Sequence, residues 1–377
     1  MSQNRIAICS NAMVPGSRAP SSAHALRANG LYVGLTAAGF DADIVATTQP
    51  IIQQLDRWGT RRVSIPGHWR ILPDNAYSAR LNADYRTVIF PNWNTARDFR
   101  KTSKVNVVYD FFSATMVEHA LIFSPAEIVA KKADKLRLLR DVDMVIANGQ
   151  VQADYAANFL PDEAGREVTG PIPAVRLAIP WSGNQPADGP LRVFFGGFHQ
   201  TWTTGIGLTE LETLADEIDL EIHTIGIGQH LHFRSLSRSG RIRPRTQRLI
   251  PHTVASFESY QSLNGGCHVS LDIFEPNDER RMSYSTRAVS SIACGCPLIT
   301  MSFTEIGRMV AETGAGWTLD TFSLDALSAL LKRLKDNPDE IAQARQNTRR
   351  FWEAYIDPAK QIMPLVEMLK EGASNVR

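Results

Sequence analysis

The order of segments constrains this chain more than any single motif. A short apolar run is followed by a loop and a longer amphipathic run, and then the apolar run returns. RIAICS (5–10), ADIVAT (42–47), TVIFPNW (87–93), VNVVYDFF (105–112) and VDMVIAN (142–148) read as strands. AHALRANGLYVGLTAAG (23–39) reads as a helix, with Ala23, Leu26, Leu31 and Leu35 near helical spacing and Gly39 past its end; KKADKLRLLR (131–140) reads as another. Strands separated by helices dictate a parallel sheet with right-handed crossovers.

The segment IPWSGNQPADGP (179–190) breaks this pattern with prolines, glycines and small polar residues, and so reads as a linker. The alternation then restarts. LRVFFGG (191–197), LEIHTIGIG (220–228), HVSLDIF (268–274) and CPLITM (296–301) are strands, with TELETLADEI (209–218) and SYSTRAVSSIACG (283–295) as helices and a helical C-terminal region over 324–355. The length of 377 residues accommodates two domains. We expect an α/β chain of two tandem Rossmann-like domains whose parallel sheets face a central cleft. The first spans 1–183 and the second 190–351, and a terminal helix over about 352–372 packs back on the first. Ligands in open α/β sheets bind outside the carboxyl ends of the strands, which places the chemistry in the cleft.

Composition narrows the function classes. Forty basic against thirty-nine acidic residues argue against a general nucleic-acid binder. No run of eighteen apolar residues is present, and MSQNRIAICSN reaches a strand-like segment at once, so the expectation is a cytoplasmic protein. Cys9, Cys267, Cys294 and Cys296 lack the paired spacing of a zinc site, and Cys294 and Cys296 are expected to line the core.

Several segments carry polar groups suited to chemistry. In FFGGFHQTWTTG (194–205), Gly196 and Gly197 let backbone N–H groups approach a ligand after a strand. In EPNDERRMSYSTRAVSSIACGCPLIT (275–300), Ser283, Ser285 and Thr286 stand where helix N-caps belong, and Arg287 adds a charge; together they form a candidate anion site. The alternative there is an ordinary capped helix with Arg287 bridged to Glu279. Six arginines crowd 233–248, with Arg234 and Arg238 nearest TIGIG; one or two of them suit an anionic ligand, and the alternative is a solvated surface loop. The loop AMVPGSRAPSSAH (12–24) follows the first strand and offers Gly16, Ser17, Arg18 and His24 as candidate contacts, or is a glycine–proline loop with no ligand. Asp110 ends a strand, where a carboxylate orients or deprotonates a hydroxyl, or caps a helix. Glu118 and His119 adjoin on a helix and cannot both face one site. Trp69, Trp93, Trp181 and Trp202 could stack on sugar rings or fill cores.

Over about 100–320 the chain resembles glycosyltransferases of the two-Rossmann GT-B fold, in particular the group 1 or family 4 enzymes. FFGGFHQTWTTG is similar to their glycine-rich strand end, TIGIG (224–228) to the nucleotide-pocket strand, and ETGAGWTLD (312–320) to the element that follows. DERRMSYSTRAVSSIACGCPLI is similar to a subgroup pattern of Glu, a Ser/Thr-rich turn, Thr-Arg and a small-residue helix. VVYDFFSATMVEHA (107–120) and VDMVIANGQVQADY (142–155) resemble acceptor-domain segments.

The resemblance implies transfer of a sugar from a nucleotide-sugar donor to a hydroxyl of a glycan, lipid-linked or small-molecule acceptor. It implies retention of configuration, with no metal and no other cofactor, the diphosphate being held by a helix dipole and basic side chains. In that scheme Gly196, Gly197, Gly228, Arg234, Ser283, Ser285, Thr286 and Arg287 bind donor; Asp110 and Glu279 are catalytic, Glu279 against the donor sugar hydroxyls and Asp110 on the acceptor side, where Gly16, Ser17, Arg18 and His119 also lie. A lipid-linked acceptor is compatible with peripheral membrane contact, and the oligomeric state is left open. Two departures stand out. The Glu-x7-Glu carboxylates are replaced by Met282 and Ser290, and residues 198–209 contain no Arg or Lys. A nucleotide-sugar epimerase of the same fold and a non-catalytic binding protein of that fold are the rival readings.

Overall fold

The computed structural model describes residues 5–58, 63–102, 104–113, 117, 123–164, 172–186, 188–196, 208–225, 246–252 and 254–374. The chain divides into two compact units. Unit 1 comprises Met1–Pro180, Met282–Tyr284 and Tyr355–Arg377; unit 2 comprises Trp181–Arg281 and Ser285–Ala354.

Unit 1 runs β1 (Arg5–Cys9), α1 (Ala23–Ala37), β2 (Asp41–Thr47), α2 (Thr48–Trp58), β3 (Trp69–Leu72), α3 (Tyr77–Asp84), β4 (Thr87–Phe90), β5 (Asn106–Phe111), α4 (Pro125–Asp141), β6 (Met144–Ala147) and α5 (Gln150–Ala164). Its six strands are all parallel, in the order β3-β2-β1-β4-β5-β6. Alternate residues serve two buried faces. Ala7, Cys9, Val88, Phe90, Val107 and Tyr109 pack on one side, and Ile6, Ile8, Ile44, Ile89 and Val108 on the other. Burial on both faces is why these strands read as continuous apolar runs. Edge strand β3 is short and half-buried over Ile71 and Leu72, so its sequence carries little alternation.

Unit 2 runs β7 (Arg192–Phe195), α6 (Leu208–Ile218), β8 (Glu221–Ile225), β9 (Leu249–His252), α7 (Phe257–Gly265), β10 (Val269–Asp272), α8 (Asp278–Met282), α9 (Thr286–Ala293), β11 (Leu298–Met301), α10 (Glu305–Thr313), β12 (Gly316–Leu319), α11 (Leu324–Asp336) and α12 (Pro338–Tyr355), the terminal residues of α8 and α12 belonging to unit 1. Its sheet order is β12-β11-β10-β7-β8-β9, again all parallel. Counted from its own first strand, this is the order of the first sheet. In both units the order reverses beside the first strand, between β1 and β4 and between β7 and β10, and such a switch point opens a crevice at the carboxyl ends.

The last helices, α13 (Pro358–Gln361) and α14 (Met363–Ser374), belong to unit 1. Ile362, Leu365 and Val366 join Leu31 and Leu35 of α1 in one buried cluster. The approach is close: a Cβ at Gly34 would sit 2.7 Å from both Ile362 Cβ and the Pro358 carbonyl oxygen. The four cysteines are free and buried, Cys294 and Cys296 among them.

Candidate functional site

At the switch point of unit 2, β7 ends in Phe195 and runs into Gly196. A side chain at 196 would collide with the Phe194 ring at 2.2 Å, so the position demands glycine. On the neighbouring strand, Asp272 is the last residue of β10 and is buried. Arg287, the second residue of α9, reaches it: Nη2 lies 3.0 Å from Asp272 Oδ1. The pair is held by charge rather than by an aligned hydrogen bond, and Asp272 Oδ1 and Arg287 Nη1 both lack a hydrogen-bond partner among the described residues. Burial pulls the Arg287 guanidinium below its ordinary pKa, and Asp272 opposes that pull.

Ser285 caps α9, its Oγ accepting from the Ala288 N–H at 3.4 Å. The N–H groups of Thr286 and Arg287, in the first turn, have no intrahelical acceptor and carry the positive end of the helix dipole. The expected cap over Ser283–Thr286 thus resolves to Ser285. Thr286 opens the helix, and Ser283 is assigned with Met282 and Tyr284 to unit 1. The alternative Arg287–Glu279 bridge is replaced by the Asp272 pair. Glu279 instead binds Arg280 through Nε···Oε2 at 2.5 Å and is only 4% exposed. Ser290 is buried.

At the switch point of unit 1, the loop leaving β1 is pinned by Asn11, whose Oδ1 accepts from the Thr47 N–H at 2.9 Å. Gly16 is exposed at φ +83°, and exposed Arg18 sits at φ +60°, a left-handed conformation uncommon outside glycine. Ser17 is fully buried, and its hydroxyl, like those of Ser10 and Ser21, has no hydrogen-bond partner among the described residues. Ser22 caps α1. His24 Nε2 lies 3.2 Å from Asn92 Nδ2, beyond the end of β4, and its ring meets Phe112 edge-on at 5.5 Å. Burial lowers the His24 pKa to about 4, so the imidazole is neutral near pH 7.

Asp110 lies near the end of β5 but faces inward. Arg27 of α1 takes both its oxygens, at 2.7 and 2.9 Å, and both side chains are about 1% exposed. Burial raises the Asp110 pKa while Arg27 lowers it. In this conformation the carboxylate is the structural partner of a buried cation and is closed to a substrate hydroxyl. Sequence reasoning missed Arg27 and Asp272. Each had a signal: a lone arginine in the apolar helix AHALRANGLYVGL, and a lone carboxylate closing HVSLD.

Gly197, Gly228, Arg234, Arg238, Glu118, His119 and Trp202 lie outside the described residues. Trp69 and Trp93 are buried, whereas Trp181 is half-buried beside Trp352, with the Arg349 guanidinium 5.2 Å from its ring.

Two six-stranded parallel sheets, each wound in the same order, define the class: the chain has the two-Rossmann architecture of GT-B glycosyltransferases. The particular likenesses are to solved structures. Sucrose-phosphate synthase from Thermosynechococcus elongatus matches with a TM-score of 0.67 at 14% identity, over 98% of this chain and 100% of that one. An α-glucosyltransferase in complex with UDP-glucose and DNA containing an abasic site matches at 0.66 and 10% identity, over 97% and 99%. HepE from Anabaena, in complex with UDP-glucose, matches at 0.65 and 11% identity, over 98% and 100%. No family model and no curated protein sequence matches the chain.

Proposed function

We propose that this protein is a glycosyltransferase that moves a sugar from a nucleotide-sugar donor to an acceptor hydroxyl. The observation that carries this reading is the convergence at one switch point of Gly196, the capped start of α9 and a half-buried Arg287 with an unpartnered nitrogen. That set suits a diphosphate leaving group: backbone N–H donors and a fixed cation stabilise charge that grows as the glycosidic bond breaks. Such a site works without a metal, and retention of configuration follows the family resemblance. Two of the similar structures hold UDP-glucose, which makes UDP-sugars the first donors to test.

In this proposal the acceptor, a glycan, a lipid-linked sugar or a small molecule, meets unit 1 at the loop 10–24. Gly16, Arg18 and Ser22 are exposed there, and neutral His24 with Asn92 supplies hydrogen bonds to a hydroxyl. Asp110 holds Arg27 and shapes that edge. Glu279 contacts a donor sugar only if Arg280 releases it. Gly197, Gly228, Arg234 and His119 keep their expected donor and acceptor roles as part of this proposal.

The test is incubation of the full chain with a panel of UDP- and other nucleotide-sugars, with and without simple acceptors, followed by product analysis. Glycosylated acceptor, or slow release of free sugar, supports transfer. Isomerised donor instead identifies an epimerase. Absence of nucleotide binding by the wild-type chain, read by thermal shift, refutes both. Buried Ser290 favours a donor held without the usual ribose carboxylate, so weak donor binding is expected.

A further inference from the structure

Two half-buried histidines meet at the edge of the unit 2 sheet. On β8, Glu221, His223 and Ile225 share one face, and the parallel register puts Ile250 and His252 of β9 on the same face. His223 Nδ1 lies 2.9 Å from His252 Nε2, with the rings within 11° of parallel. His223 Nε2 lies 3.3 Å from Glu221 Oε2. An ionised carboxylate only accepts, so neutral His223 carries its proton on Nε2 and offers Nδ1 as a lone pair. The proton between the rings therefore sits on His252 Nε2.

The pair bears on the weak end of β9. That strand is paired on one side, runs from Leu249 to His252 and contains Pro251, which has no N–H for the ladder. Its start is anchored by Leu249 in the core and by the Arg248–Asp219 ion pair, whereas His252 closes its other end. One added proton goes to His252 Nδ1 and leaves the bond between the rings intact. A second must go to His223 Nδ1, and it sets N–H against N–H and two cations side by side. The charged and titratable groups around the pair, among the described residues, do not offset this. Glu221 favours a charged His223, but Arg192 of β7 shares it, with Nε 3.2 Å from the same oxygen. His268, ahead of β10, accepts from the Arg192 N–H at 3.0 Å, and Arg345 of α12 disfavours charge on it. On this face α7 places Tyr260, which burial keeps neutral; α6 packs on the opposite face. Burial pulls the pKa of both histidines below 6.5; Glu221 opposes that pull on His223, and His223 adds to it on His252.

We propose that His223 and His252 form an acid-operated latch: neutral or singly protonated, the pair ties the end of β9 to β8, and the second proton releases it. An opened end takes up protons at the ordinary pKa of 6.5 that the closed pair refuses, so the latch is shut above about pH 6.5 and opens as pH falls below it. It stands whether or not the chain transfers sugars. Its place is the carboxyl edge of the sheet, the edge at which open α/β sheets bind ligands, so release alters that edge.

The test is hydrogen exchange on the full chain at about pH 7.5 and about pH 5, read as protection factors so that the intrinsic effect of pH on exchange is removed. In the wild type, protection over 249–252 should fall severalfold or more at the lower pH, while β7, β10 and β11 keep theirs. His252→Gln supplies an N–H to His223 but takes no proton, and should keep β9 protected at both pH values. His223→Phe offers that N–H no acceptor and should leave the end of β9 weakly protected at both. Equal protection of β9 in the wild type at the two pH values overturns the proposal. So does an acid loss in His252→Gln as large as in the wild type, an acid loss spread evenly over the strands of unit 2, or wild-type protection of β9 in His223→Phe at the higher pH.

Discussion

Arg27 and Asp110 lie 83 positions apart and form a bidentate pair with almost no exposure to water. Removing one member of such a pair strands the other charge. Asp110→Ala should therefore cost about 3–5 kcal/mol of stability, measured by urea denaturation of the full chain. A role confined to catalysis would instead lower turnover and leave the denaturation midpoint unchanged. His24 sets a pH dependence. Its ordinary pKa of 6.5 falls to about 4 on burial, so the unfolded chain takes up a proton that the folded chain refuses. Stability present above about pH 6.5 should decline as pH falls toward 4, by up to about 3 kcal/mol from this one group. The midpoint at pH 7 and at pH 4.5 measures it, and His24→Gln should flatten the difference. Asp110 was legible as a strand-end carboxylate and Ser285 as a cap. The partner of Asp110 was not, because Arg27 is 83 positions away and is brought to it only by packing, whereas a cap's N–H donor lies three residues along the chain.

At the scale of elements, α1 rests directly on the backbone near Ala178. A Cβ at Gly30 would lie 2.2 Å from the Ala178 carbonyl oxygen, within unit 1. Gly30→Ala should lower the melting temperature by several degrees, in line with the about 1–3 kcal/mol cost of overpacking, followed by circular dichroism. The start of α9 makes a separate prediction. Ser285→Ala should cost about 1 kcal/mol through the lost cap. It should also weaken UDP binding severalfold, because the cap orders the first-turn N–H groups; a UDP titration by thermal shift checks this. The central strands were readable, since burial on both faces makes β1, β4, β5, β7 and β10 largely apolar. Edge strands β3 and β9 and helices α2, α3 and α7 escaped notice because their half-exposed positions mix polar and apolar residues.

For the whole molecule, the distribution of chain between units matters most. Residues 355–377 follow unit 2 in sequence yet supply Ile362, Leu365 and Val366 to the core of unit 1. A chain ending at Ala354 should lose hydrogen-exchange protection in β1, β2 and α1 while β7, β10 and β11 stay protected, because the exposed cluster belongs to unit 1 alone. Protection lost evenly over both sheets would contradict that assignment.

The residue pattern alone settled the alternation of strand and helix, the restart after the linker and the parallel winding of two sheets, because periodic burial writes itself into local sequence. Tertiary structure decided which charges meet: Arg27 with Asp110 and Arg287 with Asp272. Ion pairing depends on distance and desolvation between residues remote along the chain, and neither quantity exists until the sheets have formed.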